Sequence, residues 1–188
     1  MHPQPPRRST HTSGGPRNLL VYDRWGEFGR PVLLLHGLLF DRTMWWPVAA
    51  ELSTSASCTM LAPDLPGHGD TPPRAAHDID RLAADLAVLV QRLDLHRAPV
   101  VVGHAESAAL ATVFAERFAV HRVLTVDDVD PAGGRTEIPE HYRPYAHRRH
   151  DPQLLAAYAG WCTPARSCTF PHLADPAGFA AGLQSRLI

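Results

Sequence analysis

The segment that decides the fold joins an apolar strand to a helix, and it reads Val100-Val101-Val102-Gly103-His104-Ala105-Glu106-Ser107-Ala108-Ala109-Leu110-Ala111. The valine run is apolar on both faces, which is typical of a central strand in a parallel sheet. The stretch from Ala105 to Phe118 is rich in alanine and predicts a helix that can pack closely on that sheet. A buried strand followed directly by a helix indicates an α/β architecture.

The rest of the chain repeats this alternation of strand and helix. Apolar runs predict strands at Leu19 to Tyr22, Pro31 to Leu35, Ser57 to Pro63, Pro99 to Val102 and Arg122 to Asp127. Helical spacing predicts helices at Met44 to Leu52, Asp78 to Leu95, Ala105 to Phe118, Leu154 to Trp161 and Phe179 to Leu187. The fold class is therefore predicted to be α/β, with a mostly parallel sheet and helices on both faces.

Composition limits the function classes. With 188 residues and 45% hydrophobic content, the chain is long enough for one domain with a core. The formal net charge of −1 gives no reason to expect nucleic acid or a membrane as a partner. Three cysteines form no disulfide framework, and no secretory signal is seen, so we expect a cytoplasmic protein. No cofactor and no metal site are predicted.

The N-terminal residues 1–17 differ in composition from the remainder. They are rich in Pro, Ser, Gly and Arg and poor in apolar side chains. Such a composition cannot bury a core, so residues 1–17 are predicted to be a disordered arm. Residues 18–188 are then expected to form a single domain.

Three motifs at the ends of predicted strands carry a resemblance to a known family. They are His36-Gly37, Asp64-Leu65-Pro66-Gly67-His68-Gly69 and Gly103-His104-Ala105-Glu106-Ser107. In this order and spacing they resemble the α/β-hydrolase fold, close to its esterase, lactonase and C–C hydrolase branch. Phe170-Pro171-His172-Leu173 is similar to the motif that follows the family's catalytic-histidine loop. The resemblance implies a nucleophile, a histidine base, an acid and an oxyanion hole at one edge of the sheet.

The departures from the family pattern matter more than the matches. Aligned on Gly103-His104, the nucleophile position holds Ala105, and a methyl group cannot attack a carbonyl. The histidine position, two residues before Pro171, holds Thr169. Asp127, or its neighbour Asp128, matches an acid position that some members use. The interval before Thr169 is short, so residues 131–166 are expected to form only a reduced lid.

The oxyanion hole requires backbone amides rather than particular side chains. By the resemblance, the amide of Glu106 and that of Leu38 or Leu39, next to Gly37, occupy the matching places. Two interpretations of the Glu106 side chain stay open. It is either a general acid or base in the crevice or a salt-bridged carboxylate at a helix N-terminus. His36 and His104 are likewise either acid–base groups or structural histidines.

Three functions are consistent with this sequence. In the first, the chain is a degenerate, non-hydrolytic member that binds a small compound with a carbonyl or carboxylate. In the second, it performs non-triad acid–base chemistry, as a cyclase, lyase or decarboxylase, with Glu106, His104 or His36. In the third, a shifted register makes Ser107 the nucleophile of an esterase-like hydrolase, with His172 and Asp127 or Asp128. An uncovered sheet edge would also allow a homodimer.

Overall fold

The sheet is mostly parallel, as the sequence predicts. A computed structural model describes residues 7–55, 57–75, 77–129, 137–160 and 168–188. The strands are β1 (Ser9–Ser13), β2 (Leu20–Trp25), β3 (Arg30–Leu35), β4 (Cys58–Pro63), β5 (Val100–Gly103) and β6 (Arg122–Thr125). Their order across the sheet is β1-β2-β4-β3-β5-β6. The pairs among β3, β4, β5 and β6 are parallel, whereas β1 and β2 pair antiparallel.

Helices cover both faces of the sheet, which confirms the predicted fold class. They are α1 (Trp46–Ser55), α2 (Ile79–Gln91), α3 (Ser107–Arg117), α4 (Val126–Val129), α5 (Pro152–Tyr158), α6 (Pro171–Ala174) and α7 (Pro176–Gln184). Alternate side chains of β3 point to opposite faces. Val32 and Leu34 pack in the core with α1 and α7. Leu33 and Leu35 pack in the core with α2 and α3.

The parallel register brings the ends of the central strands to one edge of the sheet. Leu35 of β3 is in register with Gly103 of β5, which is in register with Thr125 of β6. The residues that follow these strands, including His36 and His104, therefore leave the sheet side by side. Reactive groups in open α/β sheets gather at this carboxyl edge.

One difference from the sequence prediction lies in the expected disordered arm, where residues 9–13 form β1. Their backbone pairs with β2, from Ser9 opposite Arg24 to Ser13 opposite Leu20. The Thr10 hydroxyl also donates to the buried Asp23 carboxylate at 2.7 Å. Backbone pairing and one polar contact hold this strand. Because these interactions need no apolar side chains, the composition of the segment does not predict the strand. Residues 1–6 of the arm lie outside the described residues.

Two predicted element ends also differ in the structure. The strand expected to run to Asp127 stops at Thr125, and Asp127 lies in α4. The reason is local: the Asp128 carboxylate accepts from the Thr125 amide at 2.6 Å, which turns the chain into a helix. The helix expected to reach Leu95 ends at Gln91, and Asp94 follows with a left-handed φ of 53°.

Part of the region expected to be a reduced lid is described. It contains a 3-10 helix at Glu140–Ala146 and then α5. The buried Tyr158 of α5 donates its hydroxyl proton to the Pro66 carbonyl at 2.8 Å, which fixes this helix over the loop after β4. The expected lid residues 131–136 and 161–166 lie outside the described residues. Among the helices described, none has the length and apolar character required to cross a membrane.

Candidate functional site

A tight turn between β5 and α3 places Ala105 at the carboxyl edge of the sheet. Ala105 has a left-handed φ of 49°, a region that residues other than glycine adopt rarely. The turn also brings α3 very close to β5. A Cβ atom on Gly103 would lie 2.7 Å from the Ser107 carbonyl oxygen and 2.8 Å from the Ala108 amide nitrogen. Backbone strain of this kind concentrates at functional turns, and here the strained residue carries a methyl group.

Ser107 lies elsewhere in this turn, as the first residue of α3. Its side chain is buried, and its hydroxyl donates to the His36 carbonyl at 2.5 Å. His172 is also buried, and neither of its ring nitrogens has a hydrogen-bond partner among the described residues. The structure therefore does not bring Ser107 and His172 together, and the Ser107 hydroxyl is held against the end of β3.

Thr169 and Asp127 meet at the same edge, although 42 positions separate them in sequence. The Thr169 hydroxyl donates to the Asp127 carboxylate at 2.7 Å. The Thr169 carbonyl accepts from Nε2 of His104 at 3.0 Å. Asp128 turns away and bonds to the Thr125 amide instead. The position expected to hold the base therefore contacts the position expected to hold the acid.

An open cavity of about 380 Å³ lies beside this contact. Its wall includes Ala105, Ala108, Val126, Asp127, Cys168 and Thr169. Pockets for small organic molecules begin at roughly 300 Å³, so the space is sufficient for a small ligand. Sequence reasoning did not single out Cys168 as a cavity residue. Burial raises the pKa of its thiol, so the neutral form is favoured.

Glu106 occupies the place next to the turn, and its carboxylate points back at the loop after β3. Its side chain is 1% exposed. One carboxylate oxygen accepts from the Leu38 amide at 3.0 Å, and the other accepts from the Arg148 guanidinium at 2.8 Å. A Cβ on Gly37 would lie 3.2 Å from this carboxylate and 2.7 Å from Nδ1 of His104, so a side chain there would force the His104 ring to shift. Of the two interpretations of Glu106, this geometry matches the salt-bridged carboxylate.

The two loop amides that the resemblance assigned to an oxyanion hole are therefore both engaged. The Leu38 amide donates to Glu106, and the Leu39 amide donates to Nε2 of His68 at 3.0 Å. The expectation that one of them stands available for a ligand is corrected by these contacts. A side-chain carboxylate folds back onto the first, and a ring nitrogen binds the second.

The histidines around the site serve as neutral hydrogen-bonding groups. Nε2 of His36 accepts from the Leu65 amide at 3.0 Å, so its proton is on Nδ1, which donates to the Gly37 carbonyl at 2.8 Å. Burial lowers the pKa of His36 to about 4 and that of His104 to about 4. Both rings are therefore uncharged near neutral pH. This arrangement corresponds to structural histidines rather than to acid–base groups.

Arg148 and Arg149 are site residues that sequence reasoning missed. The Arg148 guanidinium lies 5.8 Å from the Phe40 ring centre while it pairs with Glu106. The Arg149 amide donates to the Leu39 carbonyl at 3.0 Å, and its guanidinium contacts the Asp41 carboxylate at 3.2 Å. These contacts fasten the segment after the 3-10 helix to the loop that follows β3. No local pattern could have revealed them, because their partners are distant in sequence.

Within the ranges given above, no three His, Cys, Asp or Glu side chains come close enough together to hold a metal ion.

Comparison with known proteins assigns the chain to a family. A family model described as the alpha/beta hydrolase family matches residues 32–187. The chain belongs to this family. The match includes the turn at Ala105 and the segment around Thr169.

Two curated relatives share only part of their length with this chain. A non-heme chloroperoxidase of Streptomyces lividans is 29% identical over 145 residues, which cover 66% of this chain and 49% of that protein. A probable protein phosphatase methylesterase 1 of Caenorhabditis elegans is 37% identical over 90 residues, which cover 46% of this chain and 25% of that protein. The chain thus spans between a quarter and half of the length of these two relatives.

Two solved structures likewise match only part of their length. The epoxide hydrolase CorEH, without ligand, superposes with a TM-score of 0.56 at 29% identity, covering 63% of this chain and 42% of that chain. A thioesterase domain from the curacin biosynthetic pathway superposes with a TM-score of 0.57 at 24% identity, covering 64% of this chain and 46% of that chain. The second likeness concerns the fold alone.

Proposed function

We propose that this member of the alpha/beta hydrolase family is degenerate and binds a small carbonyl compound without hydrolysing it. The observation that carries the proposal is the methyl side chain of Ala105 at the strained residue of the β5–α3 turn. Covalent catalysis requires a nucleophilic atom at that point, and a methyl group supplies none. The hydroxyl of Thr169, which touches Asp127, cannot replace an imidazole as a general base near neutral pH.

The hydrogen bond already made by the Leu38 amide supports the same proposal. Hydrolysis of an ester requires preorganised donors for the oxyanion, and the Leu38 amide already donates to the Glu106 carboxylate. Arg148 pairs with the same carboxylate and holds it in place. A ligand oxyanion would have to displace a buried, ion-paired side chain of the protein itself.

Of the two ligand groups expected from the sequence, the carbonyl fits the cavity better than the carboxylate. Asp127 contributes a negative charge to the cavity wall. A second carboxylate placed beside this charge would be repelled by it. A neutral ligand avoids this repulsion.

The alternatives have weaker support. Acid–base chemistry through Glu106 would require a carboxylate that faces the ligand, yet both of its oxygens are bound to Leu38 and Arg148. Hydrolysis through Ser107 would require a hydroxyl at the cavity, yet that hydroxyl donates to the His36 carbonyl.

Ester hydrolysis tests the proposal. We expect no turnover of p-nitrophenyl acetate by the natural chain. Ala105→Ser with Thr169→His restores the two missing groups, and adding Glu106→Ala also releases the Leu38 amide. The triple variant is expected to hydrolyse the ester faster than the double variant, since removal of an oxyanion donor lowers rates by about 10²–10³-fold. Turnover by the natural chain that disappears in Ser107→Ala would contradict the proposal.

A further inference from the structure

The charge at the cavity beside Ala105 is unbalanced. Of the cavity residues that the structure describes, Asp127 alone carries a formal charge, if the buried His104 is neutral. The Asp127 carboxylate accepts from the uncharged Thr169 hydroxyl, and within the described part of the chain it has no ion-pair partner. The nearby Glu106 is already neutralised by Arg148. Among the described residues, therefore, no cation offsets the negative charge that a ligand meets in this cavity.

The shape of the cavity adds a second restriction. In a Ser-His-Asp triad, an imidazole ring bridges the acid and the nucleophile. Here the side chains at the corresponding positions are the hydroxyl of Thr169 and the methyl of Ala105, and both line the cavity. Space for a small flat ring therefore remains between the carboxylate of Asp127 and an apolar wall formed by Ala105, Ala108 and Val126.

We infer that the cavity takes a small ligand with a flat ring that bears a cationic or neutral N–H group, bound as a charge-assisted hydrogen bond to Asp127. The inference rests on the proposed function, because a working nucleophile and base would fill the same space. The ring would lie against the methyl of Ala105, and the N–H would donate to the carboxylate.

Imidazole is the probe that tests this ligand class. Amide chemical shifts of the isotope-labelled full chain are followed by NMR during titration with imidazole at about pH 6, where this ring is largely protonated. We expect saturable shifts at Ala105, Asp127 and Thr169. Acetate, a small ligand of opposite charge, is expected to produce no saturable shift at these residues.

Two neighbouring variants separate the carboxylate of the cavity from a general charge effect. Asp127→Asn removes the acceptor charge inside the cavity and is expected to weaken imidazole binding by about tenfold. Asp128→Asn removes the same charge one residue away, where the side chain bonds to the Thr125 amide. The second variant is expected to bind imidazole like the natural chain, and circular dichroism verifies that both variants are folded.

Cavity shifts that weaken in Asp127→Asn and persist in Asp128→Asn support the inference. Equal weakening in both variants, tighter binding of acetate, or no saturable imidazole shift would overturn it. None of these results affects the non-hydrolytic proposal, which ester turnover tests, so the two can fail separately.

Discussion

The contact between Glu106 and the loop after β3 yields a quantitative prediction for stability. Glu106→Ala removes the acceptor of the buried Leu38 amide, and an unsatisfied buried donor costs about 1–3 kcal/mol. It also removes the ion pair with Arg148, whose side chain is 29% exposed, so that pair adds only about 0.5–1 kcal/mol. We therefore expect Glu106→Ala to lower the free energy of unfolding by about 1.5–4 kcal/mol.

A second variant tests the physical origin of this loss. Glu106→Gln keeps an oxygen that can accept from Leu38 and removes only the charge. We expect it to lower the free energy of unfolding by about 1 kcal/mol or less. The matched control is Asp80→Ala, which breaks the ion pair of Asp80 with Arg117, whose side chains are 48% and 50% exposed. Because that pair is exposed, its loss should lower stability by at most about 1 kcal/mol.

Urea unfolding, followed by circular dichroism and tryptophan fluorescence, measures all three variants. The slope of the unfolding free energy against urea should be unchanged, so that a shift in midpoint reports stability. If Glu106→Ala is no more destabilising than Asp80→Ala, the carboxylate does not hold the loop and the reasoning about the occupied amide is wrong.

Three further predictions concern the packing of the turn and the buried histidines. Gly103→Ala should destabilise the fold by roughly 1–3 kcal/mol in the same urea assay, because its Cβ would lie 2.7 Å from the Ser107 carbonyl oxygen; an unchanged midpoint would contradict the close packing. Burial lowers the pKa of His36 to about 4 and that of His68 to about 3, so the stability that they contribute is present above about pH 6.5 and is lost as the pH falls toward these values. His172→Phe should raise the free energy of unfolding and reduce its loss at low pH. The reason is that burial lowers the pKa of the His172 imidazole, whose nitrogens have no hydrogen-bond partner among the described residues. A greater loss of stability below pH 6 in this variant would refute that explanation.

The architecture could be predicted because its causes are local. The valine run before Gly103 and the leucine run before His36 are each apolar on both faces, and such runs are buried in central parallel strands. Asp78 caps α2 by accepting from the Arg81 amide at 2.7 Å, as its position before an amphipathic run indicates. The sequence pattern did not predict the edge strand β1, because an edge strand requires backbone pairing and little apolar surface.

The site was only partly predictable. The spacing of Gly103, Ala105 and Ser107 gave the register of the turn, and the tail motif pointed to Thr169. The partner of Glu106 could not be predicted, because Arg148 lies 42 positions away in a segment without periodicity. Long-range ion pairs depend on how the segment that carries Arg148 packs against the loop after β3, and no local pattern encodes that packing.

The most direct test of the account asks whether any hydroxyl at the turn is nucleophilic. The natural chain is treated with a fluorophosphonate probe, and its intact mass is measured by mass spectrometry. We predict an unmodified mass, because the strained residue of the turn carries a methyl and the Ser107 hydroxyl donates to the His36 carbonyl. A stoichiometric adduct that peptide mapping assigns to Ser107 would contradict the account.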